Sequence, residues 1–107
     1  MDASDLANLL SDVIAQLDTE LMSADLNSQP EKWQQVKAKR DELDEDQKAV
    51  VGKSIAEDDE AFTVLTNEIQ ASTKALNQVI GDITKIDTTI HLITEIAGNV
   101  DQVLRMF

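Results

Sequence analysis

An unbroken three-four spacing of apolar positions runs from Phe62 to Phe107. Such spacing is typical of a coiled coil or of a long helix in a bundle. The positions of this seam are Phe62, Leu65, Ile69, Ser72, Leu76, Val79, Ile83, Ile86, Ile90, Ile93, Ala97, Val100, Leu104 and Phe107. Because a seam fixes packing but carries no chemistry, the sequence predicts an architecture before it predicts a function.

The length and composition favour one helical domain spanning residues 1–107. A chain of 107 residues suits a single core, and only one proline and three glycines interrupt it. Aromatic residues make up 3% of the chain, so Leu, Ile and Val must supply the packing. The predicted fold is an all-α, antiparallel helical bundle with few turns.

The first helix is predicted from about Asp5 to Asp25 on a broad apolar stripe. Its members recur at helical spacing, with the acidic residues on the other face or in the first turn. They are Leu6, Leu9, Leu10, Val13, Ile14, Leu17 and Leu21.

The second helix is predicted from about Gln29 to Val51 as a solvated outer helix. Ser28 with Glu31 indicates a capping box at its start, and Gly52 fits its C-terminal cap. The narrow apolar stripe consists of Trp33, Val36, Leu43 and Val50. Three opposite-charge pairs four residues apart support the helix: Lys37 with Asp41, Arg40 with Asp44, and Asp44 with Lys48.

A second capping box, Ser54 with Glu57, indicates a third helix that runs to the C-terminus. We expect this helix to be continuous and coiled-coil-like, because the seam passes through Gly81 without a shift. In the alternative, Gly81 and Asp82 stop one helix and start the next, giving a compact four-helix bundle.

If the chain reverses near Lys53, Trp33 lies beside the small Ser72, and the first two helices cover the third only to about residue 78. The apolar stripe beyond residue 78 then needs cover from another chain. We therefore predict a homodimer or higher oligomer. Its interface would consist of Ile83, Ile86, Ile90, Ile93, Val100, Leu104 and Phe107.

The charge limits the classes of partner. The formal net charge is −12, and residues 1–30 carry six acids without a Lys or Arg. Such surfaces repel nucleic acid and anionic membranes and attract basic proteins. The N-terminus lacks the basic residue of a signal or transit peptide, and no apolar run is long enough to span a bilayer. A cytoplasmic location is the expectation.

No residue pattern predicts a catalytic, cofactor or metal site. Asp87, His91 and Glu95 lie four apart and could share a weakly bound ion, but a solvated stripe is the simpler interpretation. A di-iron bundle needs Glu-x-x-His, and Thr88 stands where that Glu would be. The acidic run 41–46 lacks the glycine and the final Glu of a calcium loop, so a charged surface helix is expected there.

These observations favour a non-enzymatic helical module for protein interaction or assembly, self-associating through the C-terminal seam. One alternative is a helical bundle that binds a small ligand or metal, with polar side chains converging inside. A further alternative is an acidic inhibitor or immunity protein that neutralises a basic target.

Overall fold

A computed structural model describes residues 1–53, 55 and 59–107, and in this part of the chain the regular structure is entirely helical. The all-α helical bundle is therefore confirmed. The elements are α1 (Ala3–Leu21), α2 (Ala24–Asn27), α3 (Pro30–Val51), α4 (Glu60–Val79), a 3-10 turn (Ile83–Lys85) and α5 (Ile86–Met106). The predicted capping box of Ser54 and Glu57 lies outside the described residues.

Helix α1 begins at a capping box that the sequence analysis did not identify. The Asp2 carboxylate accepts from the Asp5 backbone N–H at 2.8 Å, and the Asp5 carboxylate accepts from the Asp2 N–H at 3.1 Å. The helix ends at Leu21 rather than Asp25. A new N-cap at Ser23 then starts the short α2, which buries Leu26.

Helix α3 begins and ends close to the prediction, but its N-terminal cap differs. The Ser28 hydroxyl donates to the Asp25 carbonyl at 2.6 Å and so does not cap α3. Gln29 is the N-cap residue, without a side-chain bond, and Pro30 opens the helix. Gly52 is the C-cap, as predicted. The predicted capping box at Ser28 and Glu31 is therefore wrong, because the hydroxyl serves the preceding turn.

The continuous C-terminal helix is also wrong, and the alternative break is the one observed. Helix α4 ends at Val79, and Gly81 has a φ of +91°, which side-chain-bearing residues rarely adopt. The Asp82 carboxylate then accepts from the backbone N–H of Thr84 at 3.0 Å and starts the 3-10 turn. Gly81 therefore lets the chain reverse, and α5 folds back along α4.

Specific contacts define the topology. Helices α1 and α3 are antiparallel, because Arg40 Nε bonds Asp18 Oδ1 at 2.8 Å while Gln47, later in α3, reaches the Ala7 carbonyl at 3.2 Å. Helices α4 and α5 are antiparallel as well, since the Phe62 and Phe107 rings meet edge to face at 6.0 Å.

The two helical hairpins, α1–α3 and α4–α5, join through α3 and α5, which run parallel. Lys32 and Asp87, both near helix N-termini, form an ion pair with an Nζ–Oδ1 distance of 2.5 Å. Further along both helices, Asp46 of α3 lies beside Asp101 of α5. We refer to this contact as the α3–α5 joint.

The core draws on every helix and buries most of the predicted stripes. Its fully buried larger side chains include Leu6, Leu10, Val13, Leu17, Leu26, Val36, Leu43, Phe62, Ile69, Leu76, Ile93 and Ile96. On α4 the buried polar positions are Thr66 and Thr73, whereas Ser72 is only half-buried.

Trp33 and Ser72 make different contacts from those predicted. The Trp33 indole N–H donates to the Leu21 carbonyl at 2.9 Å, whereas the Ser72 hydroxyl lies 3.4 Å from the Glu95 carboxylate. The prediction that Trp33 packs beside Ser72 is wrong because it assumed that α3 packs directly against α4, whereas α3 packs mainly against α1 and α5. Among the described residues, none of the helices combines the length and apolar composition that a bilayer crossing requires.

Candidate functional site

A groove between α4 and α5 is the first of the features among the described residues that could bind another molecule. Its volume is about 620 Å³. The lining residues are Glu68, Ala71, Ser72, Glu95, Gly98, Asn99, Gln102 and Arg105. The small side chains of Ala71 and Ser72, and the lack of one at Gly98, leave space between the two helices. A Cβ added at Gly98 would have no neighbour within 4 Å, so this position faces open space.

The walls of the α4–α5 groove are polar and partly acidic. Glu95 accepts a hydrogen bond from Ser72 at 3.4 Å and contacts His91, with 3.0 Å between its Oε1 and the imidazole Nε2. Glu68 is exposed on the opposite helix. Two carboxylates therefore face a partner that enters this groove, with Arg105 as the cation among the lining residues.

The residues predicted as a self-association interface lie within the fold of a single chain. Ile86, Ile93 and Val100 are buried in the core. The other four are half-buried and pack against it: Ile83, Ile90, Leu104 and Phe107. The premise that the stripe beyond residue 78 lacks cover does not hold, because α5 folds back on α4 and also contacts α3. Whether copies of the chain associate stays a prediction.

The second feature is a carboxylate cluster of Glu42, Asp46 and Asp101 at the α3–α5 joint. Each side chain offers an oxygen within 4.8 Å of the other two. Asp46 is only 9% exposed, while Glu42 and Asp101 are half-buried. The Oδ2 atom of Asp46 is shielded from solvent and has no hydrogen-bond partner among the described residues.

Burial and neighbouring negative charge both act on Asp46. Burial is the largest cause and, with the carboxyl of Asp101, raises the pKa of Asp46 to about 7. Glu42 and Glu45 act in the same direction through their charges. The pair Asp46 and Asp101 is therefore most stable when it holds a proton or another cation between the two carboxyl groups.

Asp46 was not predicted as a site residue, because residues 41–46 have the composition of a charged surface run. A usable signal was present, because Asp46 follows the buried Leu43 by three residues and precedes the buried Val50 by four. These spacings place the three side chains on one helix face. The expected exposed surface holds only in part, as Asp41 and Glu45 are exposed and Asp46 is buried.

The stripe of Asp87, His91 and Glu95 is exposed, in line with the simpler interpretation. Asp87 pairs with Lys32 across the α3–α5 joint, whereas His91 pairs with Glu95 on its own helix. The structure therefore divides the three residues between separate contacts.

Most basic residues of α3 already have acidic partners. Lys37 pairs with Asp41, and Lys48 pairs with Asp44, as predicted. Arg40 lies 3.9 Å from Asp44, but its shorter contact is with Asp18 of α1. Because these cations are paired within the chain, the excess negative charge lies mainly on the other helices.

Comparison with protein-family models, with curated proteins and with solved structures finds no match to this chain.

Proposed function

We propose that the protein is a non-enzymatic helical module that binds a basic segment of a protein partner in the α4–α5 groove. The observation that carries this proposal is the groove itself, a concave surface of about 620 Å³ between two helices. Concave surfaces with a few convergent polar groups are the usual form of a binding site.

Charge supports a basic partner. Glu68 and Glu95 lie on the two sides of the groove, and the chain as a whole carries a formal net charge of −12. Complementary charge speeds association and discriminates among partners more than it adds affinity. Binding of a basic segment should therefore weaken as ionic strength rises.

The open form of the groove supports a helical or extended segment rather than a compact ligand, because its lining residues are all exposed or half-buried. Its lining includes Ala71 and Gly98, and small residues allow a partner backbone to approach closely. Asn99 and Gln102 can donate and accept hydrogen bonds at its edge. An inhibitor or immunity protein acting on a basic target would use the same surface chemistry.

A titration of the ¹⁵N-labelled protein with a synthetic basic helical peptide tests the proposal. We expect amide shifts at Gly98 and Gln102 that diminish in high salt, and no shifts with an acidic peptide of the same length. The double substitution Glu68→Lys and Glu95→Lys should abolish them. The matched control is Asp12→Lys on α1 with Asp25→Lys on α2, two exposed acids away from the groove. Shifts spread evenly over α1 and α4–α5, or an equal loss in the control, would contradict a site in the groove.

A further inference from the structure

The carboxylate cluster has a feature that an acidic surface patch lacks. The side chain of Asp46 is more than nine-tenths buried, and its Oδ2 atom meets no donor in the described part of the chain. Buried polar atoms in native proteins are nearly always paired with protein, water or an ion. A cation bound between this oxygen and the two neighbouring carboxylates would provide the partner that it lacks within the described residues.

We propose that Glu42, Asp46 and Asp101 bind a divalent cation of the Ca²⁺ class that links α3 to α5. This inference goes beyond the proposed partner binding, because the cluster lies at the α3–α5 joint and shares no residue with the α4–α5 groove.

The donor atoms select the class of metal. All three side chains offer oxygen, and the chain has no cysteine and a single histidine, His91, which pairs with Glu95 elsewhere. Carboxylate oxygens suit hard cations such as Ca²⁺ and Mg²⁺, whereas zinc sites mostly use His and Cys.

The coordination preferences of the two hard ions favour the larger one. The three ligand oxygens lie within 4.8 Å of one another. Ca²⁺ binds oxygen at about 2.3–2.6 Å, so oxygens on opposite sides of the ion are roughly 5 Å apart. Mg²⁺ requires near-ideal octahedral geometry at about 2.0–2.1 Å and gives up its water reluctantly, whereas Ca²⁺ accepts irregular oxygen sites. Since Glu42 and Asp101 are half-buried, water can reach the remaining coordination positions.

The charges around the cluster are not balanced from within the chain. Glu42 Oε2 lies 3.2 Å from Lys39 Nζ, which leaves its Oε1 free for another contact. In the described ranges, no Lys or Arg nitrogen lies within 4.0 Å of Asp46 or Asp101. A divalent ion would supply the missing positive charge where the two hairpins meet.

The test measures thermal unfolding of the full chain, freed of metal by EDTA and dialysis, at pH 8. We expect 10 mM CaCl₂ to raise Tm by roughly 5–10 °C above KCl of equal ionic strength, given a Kd of about 10⁻⁴–10⁻³ M. Calorimetric titration should give one ion per chain. MgCl₂ should have a smaller effect, and an equal response to the two ions would overturn the assignment of the larger one.

Asp46→Asn is the decisive variant, because it removes a buried charge while keeping the shape of the side chain. It should fold and lose at least tenfold in Ca²⁺ affinity. Asp101→Asn should act similarly. Asp12→Asn, an exposed acid on α1, is the matched control and should respond as the unaltered protein does. An equal rise in Tm for Asp46→Asn and the unaltered protein, or no rise beyond that in KCl, would overturn the proposal.

Discussion

The two ends of the α3–α5 joint have matching geometry and opposite electrostatics. Near the helix N-termini Lys32 faces Asp87, and further along Asp46 faces Asp101. In both pairs the residue on α5 follows its partner on α3 by 55 positions. The same parallel packing therefore creates an attractive contact at one end and a repulsive contact at the other. Helix packing determines which residues meet. The residue types then determine whether their charges balance or whether the contact needs a bound proton or cation.

Disrupting the packing of α5 in the core should have the largest effect. Replacing Ile86 and Ile93 by Asp places two charges in the core, where both side chains are buried. We expect a loss of several kcal/mol and cooperative unfolding of the whole chain, measured by far-UV circular dichroism. The control places the same charges on the exposed face of α5, as Thr88→Asp with Thr94→Asp, and should stay folded. Survival of a helical monomer in the core variant would show that α5 is not essential to the bundle.

The repulsive end should make stability depend on pH. The pKa of Asp46 is about 7 in the folded protein and about 3.9 in an unfolded chain, so folding takes up a proton between these values. The stabilisation is fully present below about pH 4 and is lost as pH rises through 7. Burial also raises the pKa of Glu20, with the same sign.

Urea unfolding without divalent cations, at pH 5 and pH 8, measures this dependence. Between pH 5 and pH 8 the free energy of unfolding should change by roughly 1–3 kcal/mol less for Asp46→Asn than for the unaltered protein. At pH 8 the variant should be the more stable of the two. Asp12→Asn should keep the original dependence. Parallel curves for Asp46→Asn and the unaltered protein would mean that neither burial nor Asp101 raises the pKa of Asp46 in the folded protein.

Two glycines provide a matched test of the turn that brings α5 to the joint. An alanine Cβ meets nothing within 4 Å at either Gly81 or Gly98, so backbone conformation alone distinguishes them. Gly81→Ala should destabilise by about 1–2 kcal/mol because of the positive φ. Gly98→Ala, inside α5, should stabilise by roughly 0.5–1 kcal/mol. Thermal melts give both values, and a stabilising effect at Gly81 would indicate a continuous helix.

The attractive end should contribute least. Asp87 is largely exposed, so its pair with Lys32 is screened by solvent. Asp87→Asn should cost at most about 1 kcal/mol in chemical denaturation, and less in high salt. If Asp87→Asn loses more stability than Asp46→Asn gains at pH 8, the attractive end contributes more than the repulsive end, and the expected ranking is reversed.

Much of the fold follows from local patterns in the sequence. The stripes of α1 and α3 mark their buried faces, and Gly52 marks the end of α3. The break at Gly81 was harder to predict, because Val79 and Ile83 keep the three-four spacing across a turn that reverses the chain. The three-four spacing is a property of the sequence, and two antiparallel helices can both follow it without forming one continuous helix.

Only one part of the carboxylate cluster, the burial of Asp46, could be predicted from the sequence. The spacing of Asp46 from Leu43 and Val50 indicates a buried face. Its neighbour Asp101 could not be found in this way, because their contact depends on the parallel packing of α3 against α5. That packing brings together helices from different hairpins, and no local pattern encodes the offset between them.

The hydrogen bond from the Trp33 indole to the Leu21 carbonyl makes Trp33 a fluorescent reporter of the α1–α3 hairpin alone. Trp33 is the sole tryptophan, and its bond ties α3 to the end of α1. Its fluorescence therefore follows the opening of the α1–α3 hairpin, whereas circular dichroism averages over all helices. Coincident transitions would mean that the hairpins unfold as one cooperative unit. Separate transitions would identify each hairpin as an independent folding unit, with the α3–α5 joint as the boundary where cooperativity ends.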